Sequence, residues 1–403
     1  MELTKYKLGD VCTFINGRAY SQPELLDSGK YKVLRVGNIF DGNHWYYSDM
    51  ELEEDKYCNE GDLLYSWACT FGPYIWHGPK TIYHYHIWKV KPNDSLVDKS
   101  FLYYFLNHQT KGFMGSTHGS TMIHITKENM ENFEVLLPSL KDQKKIASVL
   151  SALDDKIALN KKMNQKLERM AKRLYDYWFV QFDFPDKNGH PYKTTGGPMT
   201  YNPTLKREIP EGWEVSNICP LMEILPGGTP SKAKPEYWNG DIPFFGPTDY
   251  CGGVFQLSTE ECITENGLNN CASALYPPKT IFITARGSVG KLIVCGKPMA
   301  MNQSCYALKP FDLEKYEYLF YLTKQLIEQL KKKGSGSVFK SINTLDIEQS
   351  FMSVAPNEII DLYCKKVKSI FERIKSNTVE IAKLTALRDK LLPLLMNGQV
   401  TIK

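Results

Sequence analysis

The chain contains no run of about 18 apolar residues, so no transmembrane helix is expected. Residues 1–10 are polar and charged and lack the apolar core of a signal peptide. The ten cysteines stand singly, with no C-x-x-C pair, which fits neither a zinc cluster nor a redox dithiol. Free thiols in a reducing cytoplasm are the plain expectation. Tyr83-His84-Tyr85-His86 offers two histidines, but alternating aromatics and histidines on a strand read as packing rather than as a metal site. Charge of one sign is also missing, because the formal net charge of 403 residues is only +4. Residues 1–140 carry 13 Lys/Arg against 17 Asp/Glu, and residues 181–356 carry 17 against 18. The excess lies on residues 141–180, with 10 against 5, and on residues 357–396, with 8 against 5. No single charge-driven binding face is evident.

Catalytic signatures are absent as well. A DNA-adenine methyltransferase needs a Gly-rich cofactor loop and an Asn/Asp-Pro-Pro-aromatic loop to hold a flipped base. Tyr201-Asn202-Pro203-Thr204 comes nearest and lacks the second Pro and the aromatic. No carboxylate cluster precedes a Glu-x-Lys nuclease signature. The segment 285–292 resembles a phosphate loop, but it begins at Ala285 and has Leu292 where a magnesium-holding Ser/Thr belongs. A turn between strands is expected there, with Arg286 and Lys291 free to touch phosphate or base.

What is present is a two-fold internal repeat at an offset of about 218 residues. Residues 62–68 align with 280–286, Gly72 with Gly290, Gly78 with Gly296, Pro92 with Pro310 and Pro138 with Pro356. Each half opens with short β-branched and aromatic runs broken by Gly and Pro, which read as strands and turns. These include Lys32 to Val36 and Ile82 to Val90 in the first half, and Thr280 to Thr284 and Lys291 to Val294 in the second. A short helix follows, at Ser100 to Asn107 and Glu314 to Lys333, and then a Gly/Ser loop, at 115–120 and 334–337.

Each half ends in a long amphipathic helix. Ile146, Val149, Leu150, Leu153, Ile157, Asn160, Met163, Leu167, Met170 and Leu174 recur at three- and four-residue steps. Tyr363, Val367, Ile370, Ile374, Asn377, Ile381, Leu384, Leu387 and Leu391 do the same. One Asn interrupts each stripe at the equivalent place. It is either buried, where it fixes register, or at the stripe edge in water. The simplest solution for two such stripes in one chain is an antiparallel coiled coil. Pseudo-two-fold symmetry follows, with two similar but distinct globular domains facing one side. That geometry suits a duplex with two half-sites that differ in sequence and are separated by unread bases.

Several segments, taken in order, carry a resemblance over essentially the whole chain. They are Leu136 to Ala147, with Pro138 before the helix and Gln143 at its start; Leu174 to Phe184; Ile209 to Glu214; and Leu387 to Gly398. The sequence resembles the specificity subunit of type I restriction-modification enzymes. One departure is Pro356-Asn357-Glu358-Ile359, which lacks the Gln of the first junction.

The resemblance implies an α+β fold with strand-rich target-recognition domains at 1–140 and 210–356. Spacer helices would occupy 141–181 and 357–397, a Pro/Gly/Thr-rich linker 182–209 and a tail 398–403. It implies a non-catalytic, cytoplasmic subunit that binds double-stranded DNA and two modification subunits that methylate adenine. Restriction subunits would add cleavage, and no membrane is involved. No cofactor belongs to this chain; S-adenosylmethionine, ATP and magnesium are expected in the partner subunits.

Side chains able to reach base edges are Arg18, Arg35, Asn38, Thr70, His118 and Ser120 in the first half. In the second they are Lys232, Thr248, Arg286, Lys291, Asn302, Gln303 and Lys340. Leu153, Asn160, Leu167, Leu174, Ile370, Asn377, Leu384 and Leu391 are the residues expected to pair the helices and to support partner docking. Tyr74, Trp76, Tyr83 and Trp88 read as core or sheet-face residues. Two other classes compete: a self-contained methyltransferase or nuclease, which would turn over without partners, and a coiled-coil protein scaffold, which would give no sequence-selective DNA protection.

Overall fold

The computed structural model describes residues 2–40, 42, 44–115, 125–333 and 341–402. Most of the two expected Gly/Ser loops lies outside the described residues, and so do the candidates His118, Ser120 and Lys340. Contacts divide the chain into two units, Met1–Lys156 with Lys383–Lys403, and Ile157–Ala382. Each unit combines a strand-rich domain with a portion of each long helix.

In the first unit, a four-stranded sheet has the order Cys12–Asn16, Ile87–Pro92, Leu63–Ser66, Gly72–Ile75. A second sheet has the order Tyr46–Ser48, Tyr31–Leu34, Thr81–Tyr83, Tyr57–Cys58, with the central pair parallel. Thr4–Lys7 pairs antiparallel with Glu134–Leu137, joining the start of the domain to the entry of the long helix. The second unit repeats the scheme. Its larger sheet runs Met222–Pro226, Cys305–Pro310, Ile281–Thr284, Leu292–Cys295, Phe255–Gln256. Its smaller sheet runs Cys262–Ile263, Trp238–Phe245, Ala300–Met301, and Glu214–Ser216 pairs with Met352–Val354.

The registers fix the equivalence. Leu63 faces Val90 and Ile281 faces Leu308, so both partners are displaced by 218 residues. Phe14 faces Val90 and Ile224 faces Leu308, so the first strands are displaced by only 210. The intervening loops absorb the difference. The expected strand 32–36 ends at Leu34, and Val36–Phe40 is helical. The run 82–90 is not one strand. It splits into Thr81–Tyr83 and Ile87–Pro92, which belong to different sheets. The two domain helices are Lys99–Gly115 and Tyr316–Lys333.

Leu140–Tyr175 is one helix of 36 residues with no Gly or Pro inside, about 54 Å at ~1.5 Å per residue. Ser139 caps it, its Oγ accepting the Asp142 amide at 3.3 Å. Asn357–Met396 is a helix of 40 residues. The helices pack antiparallel within each unit. In the first, Arg388 pairs with Asp154 at 2.8 Å and Lys145 Nζ donates to the Ile402 carbonyl. In the second, Asn160 donates to Glu380, Asn377 donates to Asn164, and Tyr363 Oη donates to the Ala171 carbonyl.

Asn160 and Asn377 are 1% and 2% exposed, which decides for burial over the stripe edge. They do not bond each other. Asn377 Nδ2 donates to Asn164 Oδ1 at 2.9 Å, and Asn160 Nδ2 donates to Glu380 Oε2 at 2.9 Å. Two stripe positions turn outward, because the packed neighbours and not the local spacing decide which side chains are covered. Met170 and Leu387 are exposed, while Ala171, Phe371 and the half-buried Arg388 face inward. Leu153, Leu167, Leu174, Ile370, Leu384 and Leu391 are half-buried.

The linker is an ordered part of the second unit. Met199–Asn202 and Arg207–Pro210 form a hairpin, and Phe182, Phe184 and Ile209 enter one core with Trp213. Each side chain fully buried in this way contributes roughly 1.5–3 kcal/mol.

Candidate nucleic-acid interface

The candidates gather where sheet ends meet, because in each unit the two sheets share one crossover turn. In the first unit that turn is 84–86, between Thr81–Tyr83 and Ile87–Pro92. In the second it is 302–304, between Ala300–Met301 and Cys305–Pro310. Three of the surrounding backbone hydrogen bonds recur at equivalent places, while Tyr85 N to the Arg18 carbonyl in the first unit and Arg286 N to the Ser304 carbonyl in the second are particular to their units. His84 N donates to the Leu34 carbonyl and Asn302 N to the Phe245 carbonyl, both at 2.9 Å. Arg18 N donates to Tyr83 and Gly228 N to Met301, both at 3.1 Å. Gly17 N donates to Ile87 and Gly227 N to Cys305, both at 3.2 Å. Those two glycines permit the approach: a Cβ on Gly17 would lie 2.4 Å from the His84 carbonyl oxygen, and one on Gly227 would lie 1.9 Å from that of Asn302.

Around the first turn lie Arg18, Arg35 and the neighbouring Trp67, whose indole Nε1 donates to the Tyr85 carbonyl at 2.9 Å. Arg18 is held locally. Its guanidinium pairs with Glu24 at 2.6 Å and covers the Tyr20 ring, and this pairing keeps the Glu24 carboxyl at about 2. Asn38 is consumed as a loop brace, accepting the Arg35 amide at 3.0 Å and donating to the His44 carbonyl at 2.8 Å. Arg35 is exposed, with its guanidinium 5.3 Å from the Tyr46 ring centre, and Thr70 is exposed. Burial, then the charges of His86 and Arg35, push His84 down to about 4, so its ring is neutral near pH 7.

In the second unit Thr248 and Asn302 share a recess, Gln303 stands on the turn and Arg286 N reaches the Ser304 carbonyl, while Lys291 lines a separate cleft. Gln303 is exposed and accepts from Thr229 Oγ1. Asn302 Oδ1 accepts the Ser304 amide at 2.9 Å, which fixes the turn. Thr248 lines a recess of about 310 Å³ with Asp249, Glu260, Glu261 and Asn302. Arg286 and Lys291 are exposed, with Lys291 5.2 Å from the Tyr250 ring centre. Lys232 sits over the Trp238 ring and pairs with Glu261.

The glycine-rich segment 285–291 joins antiparallel strands Ile281–Thr284 and Leu292–Cys295, not a strand to a helix. Thr284 Oγ1 closes it by accepting the Lys291 amide at 2.9 Å and donating to the Ser288 carbonyl. It is a hairpin turn and not a phosphate loop. Beside it, a cleft of about 250 Å³ is lined by Lys291, Lys324, Lys331, Tyr250 and Glu168. Burial raises the Glu168 carboxyl above the usual carboxylate range, partly opposed by Lys324.

Tyr74 is half-buried, and Trp76, Tyr83 and Trp88 are buried in the cores as expected. The turn residues His84, Tyr85 and His86 are not strand packing. They stand at the positions that Asn302, Gln303 and Ser304 occupy in the other unit. The 218-residue offset carried that signal, since adding it to 84 and 85 gives two positions already favoured on chemical grounds. Among the described residues, no group of three or more His, Cys, Asp or Glu is arranged to hold a metal. No described helix is long and apolar enough to cross a membrane.

Residues 2–169 and 210–385 match the type I restriction modification DNA specificity domain. The chain is similar to the type I restriction enzyme HindI specificity subunit of Haemophilus influenzae, at 26% identity over 98% of this chain and 99% of that protein. It is 29% identical to the type I restriction enzyme MjaIX specificity subunit of Methanocaldococcus jannaschii, over 77% of this chain and 71% of that one. Its fold resembles a crystal structure of the type I restriction-modification system S subunit from M. genitalium, with a TM-score of 0.58 at 15% identity over 98% and 96% of the chains. A domain that matches twice, in two units built on one hydrogen-bond scheme, places this chain in the type I restriction-modification DNA specificity family.

Proposed function

We propose that the chain is the DNA-reading subunit of a type I restriction-modification enzyme and recognises a bipartite, asymmetric duplex target. The observation that carries this reading is the repeated crossover turn, which keeps one backbone scheme in both units and changes its side chains. Each unit reads one half-site, and the sequence differences make the half-sites differ. Arg35 and Arg286 beside the two turns, and Lys291 at the end of the 285–291 hairpin turn, are exposed cations and grip phosphates. Thr70, Thr248 and Gln303 are exposed polar groups within reach of base edges. Arg18 and Asn38 shape the loops instead.

Two modification subunits that methylate adenine dock on the long helices, and restriction subunits add cleavage, all in the cytoplasm. Asn160, Asn377 and the half-buried leucines serve helix pairing. The outward Leu159, Met170 and Leu387, 53%, 57% and 45% exposed, supply apolar anchors for docking. S-adenosylmethionine, ATP and magnesium belong to those partners.

With a first domain of net negative charge, the isolated chain binds DNA weakly and the methyltransferase complex binds it tightly. Anisotropy at fixed salt, with and without the modification subunit, tests this, and equal affinities would overturn it. Exchanging residues 1–140 for those of another family member changes one half-site only. A change in both would refute the modular division.

A further inference from the structure

We propose that the turn His84-Tyr85-His86 is the base-reading element of the first unit, the counterpart of Asn302-Gln303-Ser304 in the second. The inference rests on the DNA-reading function proposed above and names the residues that set the difference between the half-sites.

The two turns share more than position. Ile87 N closes the first on the His84 carbonyl at 3.0 Å, and Cys305 N closes the second on the Asn302 carbonyl at 3.2 Å. The first side chain of each turns back on the third amide: His84 Nδ1 lies 3.5 Å from His86 N, and Asn302 Oδ1 lies 2.9 Å from Ser304 N. That uses one acceptor at each first position and leaves an N–H donor, His84 Nε2 or Asn302 Nδ2. The middle residue, Tyr85 or Gln303, is the exposed one.

The rest of the scaffold differs in a way that suits the substituents. Trp67 N donates to His86 as Ala285 N does to Ser304, so a Trp stands where the second unit has a buried Ala. The indole extends a column of rings from the core. Tyr65 stacks on Trp88 at 6.2 Å, Trp88 on Trp67 at 5.7 Å, and Trp67 meets the His86 ring edge-on at 5.2 Å. Tyr85 and His86 lie 3.9 Å apart, and His84 and Tyr85 lie 4.4 Å apart. Loop side chains usually lose rotamer freedom on binding; here the rings are already held, while Tyr85 stays 38% exposed.

The chemistry that results is specific. The first turn offers a neutral imidazole donor and exposed ring faces, complementary to purine N7, guanine O6 or the thymine methyl in the major groove. The second offers amide N–H donors, Asn302 Nδ2 and the exposed Gln303 Nε2, which suit acceptors such as purine N7 and lack the ring faces of the first turn. The same scaffold therefore carries two different readers.

The test uses the chain assembled with its modification subunit on a duplex library randomised over both half-sites, with adenine methylation read by sequencing. The H84N/Y85Q/H86S variant places the second unit's triplet in the first unit. A change of tenfold or more is expected in base preference at one or more positions of one half-site, with the other half-site unchanged. Tyr85→Gln alone, at an exposed position, carries the same expectation if the triple variant does not fold. Wild-type preference at every position in a folded variant overturns this inference alone. A wild-type complex with no bipartite preference overturns the functional reading and this inference with it.

Discussion

Gln143 is 1% exposed at the start of the first long helix, and all its side-chain partners are backbone groups. Its Oε1 accepts the Asp98 amide at 2.9 Å. Its Nε2 donates to the Leu96 carbonyl at 3.0 Å and the Pro138 carbonyl at 2.9 Å. One side chain thus ties the entry of the domain helix Lys99–Gly115 to the entry of the long helix. Gln143→Ala removes the side-chain partner of one buried backbone group, the Pro138 carbonyl, and of two half-buried ones, the Leu96 carbonyl and the Asp98 amide. At about 1–3 kcal/mol for each orphan, less roughly 1–2 kcal/mol of side-chain entropy recovered, three fully buried orphans would cost about 1–8 kcal/mol, and the partial exposure of two of them keeps the loss in the lower half, about 1–4 kcal/mol. That is a large share of a domain's stability, which is on the order of 5–15 kcal/mol. Gln143→Glu keeps shape and acceptor but aims carboxylate oxygens at two carbonyls, so it costs at least as much as Ala. Urea unfolding gives the total. Hydrogen exchange locates it, with protection lost first at the Asp98 amide and in the peptides covering 96–106 and 135–146. If both variants lie within about 1 kcal/mol of wild type, the brace is not what holds this junction. Counted from the first helical residues, Leu140 and Asn357, which differ by 217, the equivalent position in the second unit is Ile360, also 1% exposed, where packing replaces the polar brace. That accounts for the missing Gln.

Three further outcomes are expected. Glu317 is 4% exposed, its Oε2 has no hydrogen-bond partner, and burial pushes its carboxyl up to about 7. The unfolded carboxyl ionises near 4.5, so stability falls as pH rises from there to about 7. Glu317→Gln removes that loss, by up to ~3 kcal/mol, and a urea-midpoint gap from wild type that stays the same at pH 5 and pH 8 would refute it. Asn164→Leu and Asn377→Leu each strand a buried amide and cost about 1–3 kcal/mol; the double variant costs less than the sum, and an additive cycle would show that the pair is uncoupled. Arg286→Ala lowers the salt slope of DNA binding by the complex by about 1 without reordering sequences; a reordered preference would make Arg286 a base reader instead.

The sequence by itself determined the features that depend on period and repetition. A three-and-four spacing makes one apolar stripe on a helix wherever it is placed, so both long helices and their pairing were legible. The 218-residue offset was legible as well, and so was the turn at 285–291, since a misplaced Ala and Leu disable a phosphate loop whatever surrounds it. Tertiary structure decided what depends on partners distant in sequence. The run 82–90 became two strands because its halves pair with different sheets, Val33 facing Ile82 and Phe14 facing Val90. Met170 and Leu387 turned outward and Asn164 inward because the neighbouring helix, not the local spacing, sets which atoms are covered. The reading surface shows the same limit. Arg18, Arg35 and Asn38 look alike as polar loop residues, yet Glu24 takes the first, the loop carbonyls take the last, and only Arg35 stays exposed. Outward direction is a property of the folded surroundings, and a residue's type does not carry it.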